Sequence, residues 1–161
     1  MECSVILHAR LPRGEAKRAF DRLADFAAYP ELTDTVRTVA VNTLSPTRVE
    51  SKWEVNFRKG ILVWSERDEI DPVGRRISFE QTRGDFATFT GSWLVVEQGA
   101  DVRVEFASRF DLGIASLATL IDPVACAAMR DAVRDILLGL FGKDIEVRVV
   151  EAAPVGQPTP G

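Results

Sequence analysis

Val49-Glu50-Ser51-Lys52-Trp53-Glu54-Val55-Asn56-Phe57, the turn Arg58-Lys59-Gly60, and Ile61-Leu62-Val63-Trp64-Ser65-Glu66-Arg67-Asp68-Glu69-Ile70 form the stretch whose reading decides the fold. The first run alternates strictly. Val49, Ser51, Trp53, Val55 and Phe57 fall on one face; Glu50, Lys52, Glu54 and Asn56 fall on the other. A period of two marks a strand with one buried side. A short glycine-bearing turn joins it to the second run, so the two read as an antiparallel hairpin.

Working outward, the same period holds from Val36 to Asp111. Val36–Val41, Arg76–Thr82, Thr88–Glu97 and Val102–Asp111 read as further strands. Ser45-Pro46, Asp71-Pro72-Val73-Gly74, Arg83-Gly84-Asp85 and Gln98-Gly99-Ala100-Asp101 are the turns between them. Short strands joined by tight turns make an antiparallel meander. Upstream, Ser4–Ala9 is a first strand, and Glu15–Phe26 has apolar residues at helical spacing. Tyr29-Pro30 breaks that helix, because the residue before a proline disfavours the helical region. Pro30–Asp34 then reads as a short helical turn.

Downstream, Ile114–Leu120 begins a helix that Asp122-Pro123 can restart. Cys126, Met129, Val133, Ile136, Leu137 and Leu140 recur at helical spacing up to Phe141, and Gly139 and Gly142 weaken or end the helix. Residues 151–161 are expected to form a disordered tail, since Ala152–Gly161 holds three prolines and two glycines. Residues 1–150 are then one α+β domain. Its curved antiparallel sheet of about seven strands must cover an apolar face, and the long C-terminal helix is the one element large enough. A curved sheet wrapped on a single helix leaves a gap, which is a natural pocket.

Composition sets limits on function. A chain of 161 residues fits one domain, and 46% hydrophobic residues with 27% charged are enough for a core. The net charge of −4 argues against nucleic acid and against docking on anionic lipid. The two cysteines, Cys3 and Cys126, are far apart and read as separate buried thiols. One histidine, His8, excludes a multi-histidine zinc site, so no metal or cofactor is expected. Met1–Pro12 lacks the pattern of a signal peptide, and the apolar window Gly113–Met129 is too short and too interrupted to span a bilayer. A cytoplasmic protein is expected, a monomer or homodimer without stable membrane insertion.

Other motifs fail on inspection. Gly139-Leu140-Phe141-Gly142-Lys143 has the wrong glycine spacing for a phosphate loop, and Asp144 stands where a hydroxyl residue belongs. No serine lies in a GxSxG turn. His8 sits on an apolar strand and reads as a satisfied sheet residue. The carboxylate pairs Asp68/Glu69 and Asp101/Glu105 read as solvated strand and turn charges.

Several local motifs resemble one family. Phe26-Ala27-Ala28-Tyr29-Pro30-Glu31-Leu32 is similar to its aromatic-Pro-Glu-aliphatic turn after the first helix. Trp64-Ser65-Glu66-Arg67 lies on the strand after the hairpin. Phe86-Ala87-Thr88-Phe89-Thr90-Gly91-Ser92-Trp93 is similar to its Phe-x-x-aromatic-x-Gly-x-Trp run, and Phe106-Ala107-Ser108-Arg109-Phe110-Asp111 to its strand end. In this order they resemble the helix-grip fold of the START-like superfamily, in the branch of polyketide cyclase/dehydratases, aromatase/cyclases and coenzyme Q-binding proteins. The resemblance covers the chain to about Val149. It implies an apolar cavity for an aromatic, polyketide or isoprenoid-like molecule.

The resemblance also places Arg67 where aromatase/cyclases carry a cavity arginine, which would stabilise an enolate or carbonyl oxygen. The bland alternative is a solvent-facing arginine paired with Glu69 or Asp68. The tyrosine that follows the Pro-Glu turn in these enzymes is replaced here by Val36. A dehydration would then need Glu69, a water or the substrate itself. Ser65 and Gln81 are candidates for hydrogen-bonding a ligand, against surface or sheet-edge roles. Trp53 and Trp93 offer flat walls to a planar ligand, and Met129 and Val133 are expected to face it from the helix. The expected activity is cofactor-free cyclisation or dehydration of a polyketide-type intermediate, with an acyl carrier protein as a possible partner. The alternative is a non-catalytic carrier of a lipid or a coenzyme Q-like quinone.

Overall fold

The computed structural model describes residues 2–58, 60–113 and 122–151. The elements run β1 (Cys3–Leu11), α1 (Ala16–Ala24), a 3-10 turn (Phe26–Ala28), α2 (Tyr29–Leu32), β2 (Val36–Ser45), β3 (Arg48–Phe57), β4 (Gly60–Asp71), β5 (Arg76–Gly84), β6 (Thr88–Gln98), β7 (Asp101–Asp111), α3 (Asp122–Phe141) and β8 (Glu146–Val150). The expected helix start over Ile114–Leu120 lies outside the described residues, as do Lys59 of the hairpin turn and residues 152–161 of the expected tail.

All eight strands form one curved antiparallel sheet, in the order β2-β3-β4-β5-β6-β7-β1-β8. The meander supplies β2 to β7, and β1 closes against β7, with Leu7 opposite Phe106. The sequence reading lacked β8. Its pattern is only partly buried, because it pairs on one side alone, with Val149 opposite Leu7 and Val147 opposite Ala9. An edge strand needs little apolar alternation, so its sequence signal is weak.

The inner face carries the core. On β1, Val5, Leu7 and Ala9 alternate inward; on β7, Val102, Val104, Phe106 and Phe110 do the same. α3 lays Ala125, Ala128, Met129, Ala132, Val133, Ile136, Leu137 and Leu140 on this face, while Asp131, Arg134 and Asp135 point to solvent. That is the 3.6-residue stripe of a helix packed on one side. The helix runs straight through Gly139, where a Cβ would stand 2.4 Å from the Leu32 carbonyl oxygen. Glycine there permits close approach of α3 to α2 rather than ending the helix. Gly142, at φ +92°, is the residue that ends it.

Cys3 and Cys126 form a disulfide, with Cα atoms 5.7 Å apart. This corrects the reading of two separate thiols. Pairing depends on the start of β1 meeting the first turns of α3, a contact between residues 123 apart that no local pattern encodes.

Candidate functional site

β3 and β4 build the site. Phe57 pairs with Gly60, so Gly60 already belongs to β4 rather than to the turn. Each odd-numbered inward residue of β3 therefore faces an even-numbered residue of β4: Trp53 opposite Trp64, Ser51 opposite Glu66, Val49 opposite Asp68. Paired residues of an antiparallel ladder share a face. Leu62, Trp64, Glu66 and Asp68 thus point inward, and Val63, Ser65, Arg67 and Glu69 point out.

That parity corrects the expected site. Arg67 and Glu69 are exposed, and Glu69 accepts a 3.1 Å ion pair from Arg48. Arg67 and Ser65 line a shallow outer depression with Lys52 and Arg83. Gln81 is also away from the cavity; its amide clasps the Phe86 backbone, donating to the carbonyl at 2.9 Å and accepting from the N–H at 3.2 Å. Trp53, Trp93, Met129 and Val133 do lie on the cavity wall. A one-residue shift of parity sends every side chain of a strand to the opposite face.

The cavity lies between the sheet and α3. Trp53 and Trp64 stack at 6.2 Å with planes 7° apart. Phe26 and Tyr29 meet Trp53 edge-on at 5.5 and 5.3 Å. Phe89 meets Trp64 at 5.5 Å, and Phe106 lies 4.7 Å from Trp93. These rings crowd the interior. Counting the mouth, about 660 Å³ is unfilled by atoms, of which about 70 Å³ is open to the centre of a water molecule. A larger ligand must displace wall side chains to enter. Gly91 on β6 makes room for that wall, because a Cβ there would stand 2.4 Å from the Phe79 ring.

Two acids line this apolar space. Glu66 is 5% exposed and Asp68 0%. A directed hydrogen-bond chain supports them. Trp53 Nε1–H donates to Ser51 Oγ at 2.8 Å, and Ser51 donates to Asp68 Oδ2 at 2.6 Å. Trp64 Nε1–H donates to Glu66 Oε1 at 2.7 Å. Asp68 Oδ1 is buried and takes part in no hydrogen bond of standard geometry. β5 bulges at Thr82, opposite the Ser65–Glu66 step, and Gly84 beyond it comes within 2.5 Å, as a virtual Cβ, of Trp64 Cα. Such bulges re-aim side chains next to functional sites.

The environment sets the protonation of the pair. Burial pushes the Glu66 carboxyl well above the usual carboxylate range, and its contact with Asp68 pushes the same way. Burial also raises Asp68, while hydrogen bonds from Glu66 and Ser51 pull it back. Glu66 is thus the acid that keeps its proton and Asp68 the better acceptor. Two carboxyls sharing a site separate in this way because both ionising together is unfavourable. Tyr29, wholly buried, is also pushed up by burial, and its hydroxyl donates to the Leu23 carbonyl at 2.7 Å. No Lys, Arg or His lines the cavity among the described residues. Nor do the described residues group three His, Cys, Asp or Glu side chains suited to a metal.

The sequence reading missed Glu66 and left Asp68 in solvent. A signal was present: Trp64 is the bulkiest apolar residue of β4, and Leu62, Glu66 and Asp68 share its alternation.

A curved sheet gripping a helix over an apolar cavity is a ligand-binding fold, and the comparisons agree. The profile of the family described as polyketide cyclase/dehydrase and lipid transport matches residues 14–137, so the chain belongs to that family. Among solved structures, the Thermus thermophilus protein TTHA0849 superposes with a TM-score of 0.76 at 21% identity, over 87% of this chain and 94% of that one. The Zhui aromatase/cyclase of a Streptomyces species gives 0.76 at 16% identity, over 88% and 92%. A START superfamily protein from Mycobacterium smegmatis gives 0.68 at 13% identity, over 86% and 93%. At these identities the likeness is one of fold. Among curated proteins, none matches significantly in sequence. No described helix is long and apolar enough to cross a membrane.

Proposed function

We propose that this protein binds a polyketide-type intermediate in its aromatic cavity and directs its cyclisation or dehydration, with Glu66 as acid and Asp68 as base. The observation that carries this reading is the buried acid pair on the wall of an otherwise apolar cavity. Asp68 Oδ1 takes a proton from the carbon between two carbonyls, leaving an enolate. In an aldol closure that carbon attacks a second carbonyl, and Glu66 protonates the new alkoxide. In a dehydration Glu66 gives its proton to the departing hydroxyl, which leaves as water. In each case the proton gained by Asp68 passes to Glu66, and the pair is restored. General acid–base steps of this kind contribute roughly 10²–10⁴-fold. Holding a flexible chain with its reacting carbons near one another supplies much of the rest.

The Zhui neighbour, itself an aromatase/cyclase, supports the chemistry by analogy. Residues 1–150 would act as one unit, monomer or homodimer, receiving its substrate from an acyl carrier protein. The test is reconstitution of a nascent polyketide with and without the protein, with products resolved by chromatography and mass spectrometry. One cyclised product with wild type, and the spontaneous mixture with Asp68→Asn or Glu66→Gln, is the expected result. An unchanged mixture with wild type would sink the enzymatic reading. A second reading, a carrier for a neutral lipid or quinone, is favoured by the walls themselves, where only the two acids interrupt aromatic and aliphatic surface. Organic extraction of the purified protein would reveal such a cargo.

A further inference from the structure

The hydrogen bonds at the acid pair run in one direction. An indole N–H can only donate. Trp53 donates to Ser51, so Ser51 has its single proton free for Asp68 and gives it to Oδ2. Trp64 donates to Glu66 Oε1, which leaves the other oxygen of Glu66 to carry the acid's proton toward Asp68. Every donor in the network therefore points at Asp68. The buried pair, in which Asp68 Oδ1 makes no hydrogen bond of standard geometry, lines the cavity. No basic side chain among the described residues lines the space to balance it.

We propose that the cavity selects its ligand by charge and hydrogen-bonding sense: it takes a neutral or cationic aromatic or apolar molecule that sets one donor, an enol or phenol O–H or an ammonium N–H, against the buried acid pair, and it refuses carboxylates. Asp68 is the residue that determines this specificity. A carboxylate has no proton to give and adds a second anion to a site without a counter-charge. An ammonium meets both the acceptor and the negative faces of Trp53 and Trp64. The inference rests on the cavity being the ligand site, as proposed above, and narrows what enters it. An acyl chain must arrive with its carboxyl masked as an ester or thioester.

The test uses three single-ring probes of matched size: phenol, benzylamine and benzoate. Binding to the wild-type protein at neutral pH is followed through the methyl signals of Met129 and Ile77, which line the cavity. Phenol and benzylamine should bind, and benzoate about tenfold more weakly or worse, the size of one uncompensated buried contact. Asp68→Asn, which places an amide donor at the same point, should weaken benzylamine and strengthen benzoate, each by about tenfold. Benzoate binding as tightly as phenol to the wild type would overturn the proposal, and so would binding of none of the three. The wild-type comparison stands even if Asp68→Asn fails to fold. A preserved charge order with no cyclisation in the reconstitution would sink the enzymatic reading alone; cyclisation with benzoate bound tightly would sink this inference alone.

Discussion

Raising the pH from about 5.5 to 8 should cost this protein stability, and the acid pair fixes the sign. Glu66 and Asp68 are both raised above their ordinary values of 4.5 and 3.8, chiefly by burial. The unfolded chain releases these protons near the ordinary values, whereas the folded chain retains at least that of Glu66. Over this window the folded state binds more protons, so its advantage is full below the ordinary carboxylate range and is lost as pH rises through the folded values. Each retained proton gives a slope of about 1.4 kcal/mol per pH unit. With a urea m-value of about 1–3 kcal/mol/M, the unfolding midpoint should fall by about 0.5–1.4 M per unit. The surface acids do not mask this. Asp101, Asp111 and Glu146 are lowered by hydrogen bonds from Arg13, Gly113 and Arg10 respectively, so their contributions change below the window. Tyr29 is raised above 10 and changes above it. Urea melts at half-unit steps, on wild type and Glu66→Gln, measure the slope. The variant should lose one proton's share. A wild-type stability that is flat or rising between these pH values, or a Glu66→Gln slope equal to that of wild type, would refute the argument.

The Cys3–Cys126 bond closes a loop whose ends are 123 residues apart, and loop entropy assigns such a cross-link about 4–5 kcal/mol. Thiol titration with and without reductant, paired with denaturant midpoints, should show no free thiol and a lower midpoint on reduction; equal midpoints would remove the bond from the account of stability. Arg67→Ala should leave ligand binding unchanged and stability within about 0.5 kcal/mol, because Arg67 lies outside the sheet away from the cavity. A loss of binding in that variant would restore the arginine to the site.

Much of the fold was legible because its pattern is local. The strict alternation of Val49–Phe57, the turn residues between the strands and the stripe from Met129 to Leu140 each speak within a few turns or pleats of chain. The site was less legible because it depends on parity across a turn. Arg58-Lys59-Gly60 reads equally as a turn of three residues or as a turn of two with Gly60 already paired, and the choice reverses β4. Here the second holds, with Arg58 taking the positive φ of 56° that the turn requires. Trp53 was found because β3 announces its own face. Glu66 and Asp68 were not, because two charged residues on a strand are ordinarily solvated. The disulfide and β8 were missed for a different reason, as both depend on contacts between distant parts of the chain.

The distribution of buried polarity bears on function. The buried polar or charged residues, among those described, are Ser51, Glu66, Asp68 and Ser108. Three of them form one connected group, of which Glu66 and Asp68 lie on the cavity wall, and the fourth lies on β7. A buried ionisable pair is weak support for a fold, and well-packed apolar side chains of similar volume are often as stabilising or more so. The cost is therefore concentrated at one place. It coincides with the free space, with a bulge that re-aims the strand and with the stacked tryptophans. This pair draws its donors from the cavity's own tryptophans, Asp68 Oδ2 through a relay that begins at one and Glu66 Oε1 directly from the other. An acid pair oriented by the rings of an apolar cavity, with no basic residue among those described beside it, is the arrangement expected where the pair acts on what the cavity holds.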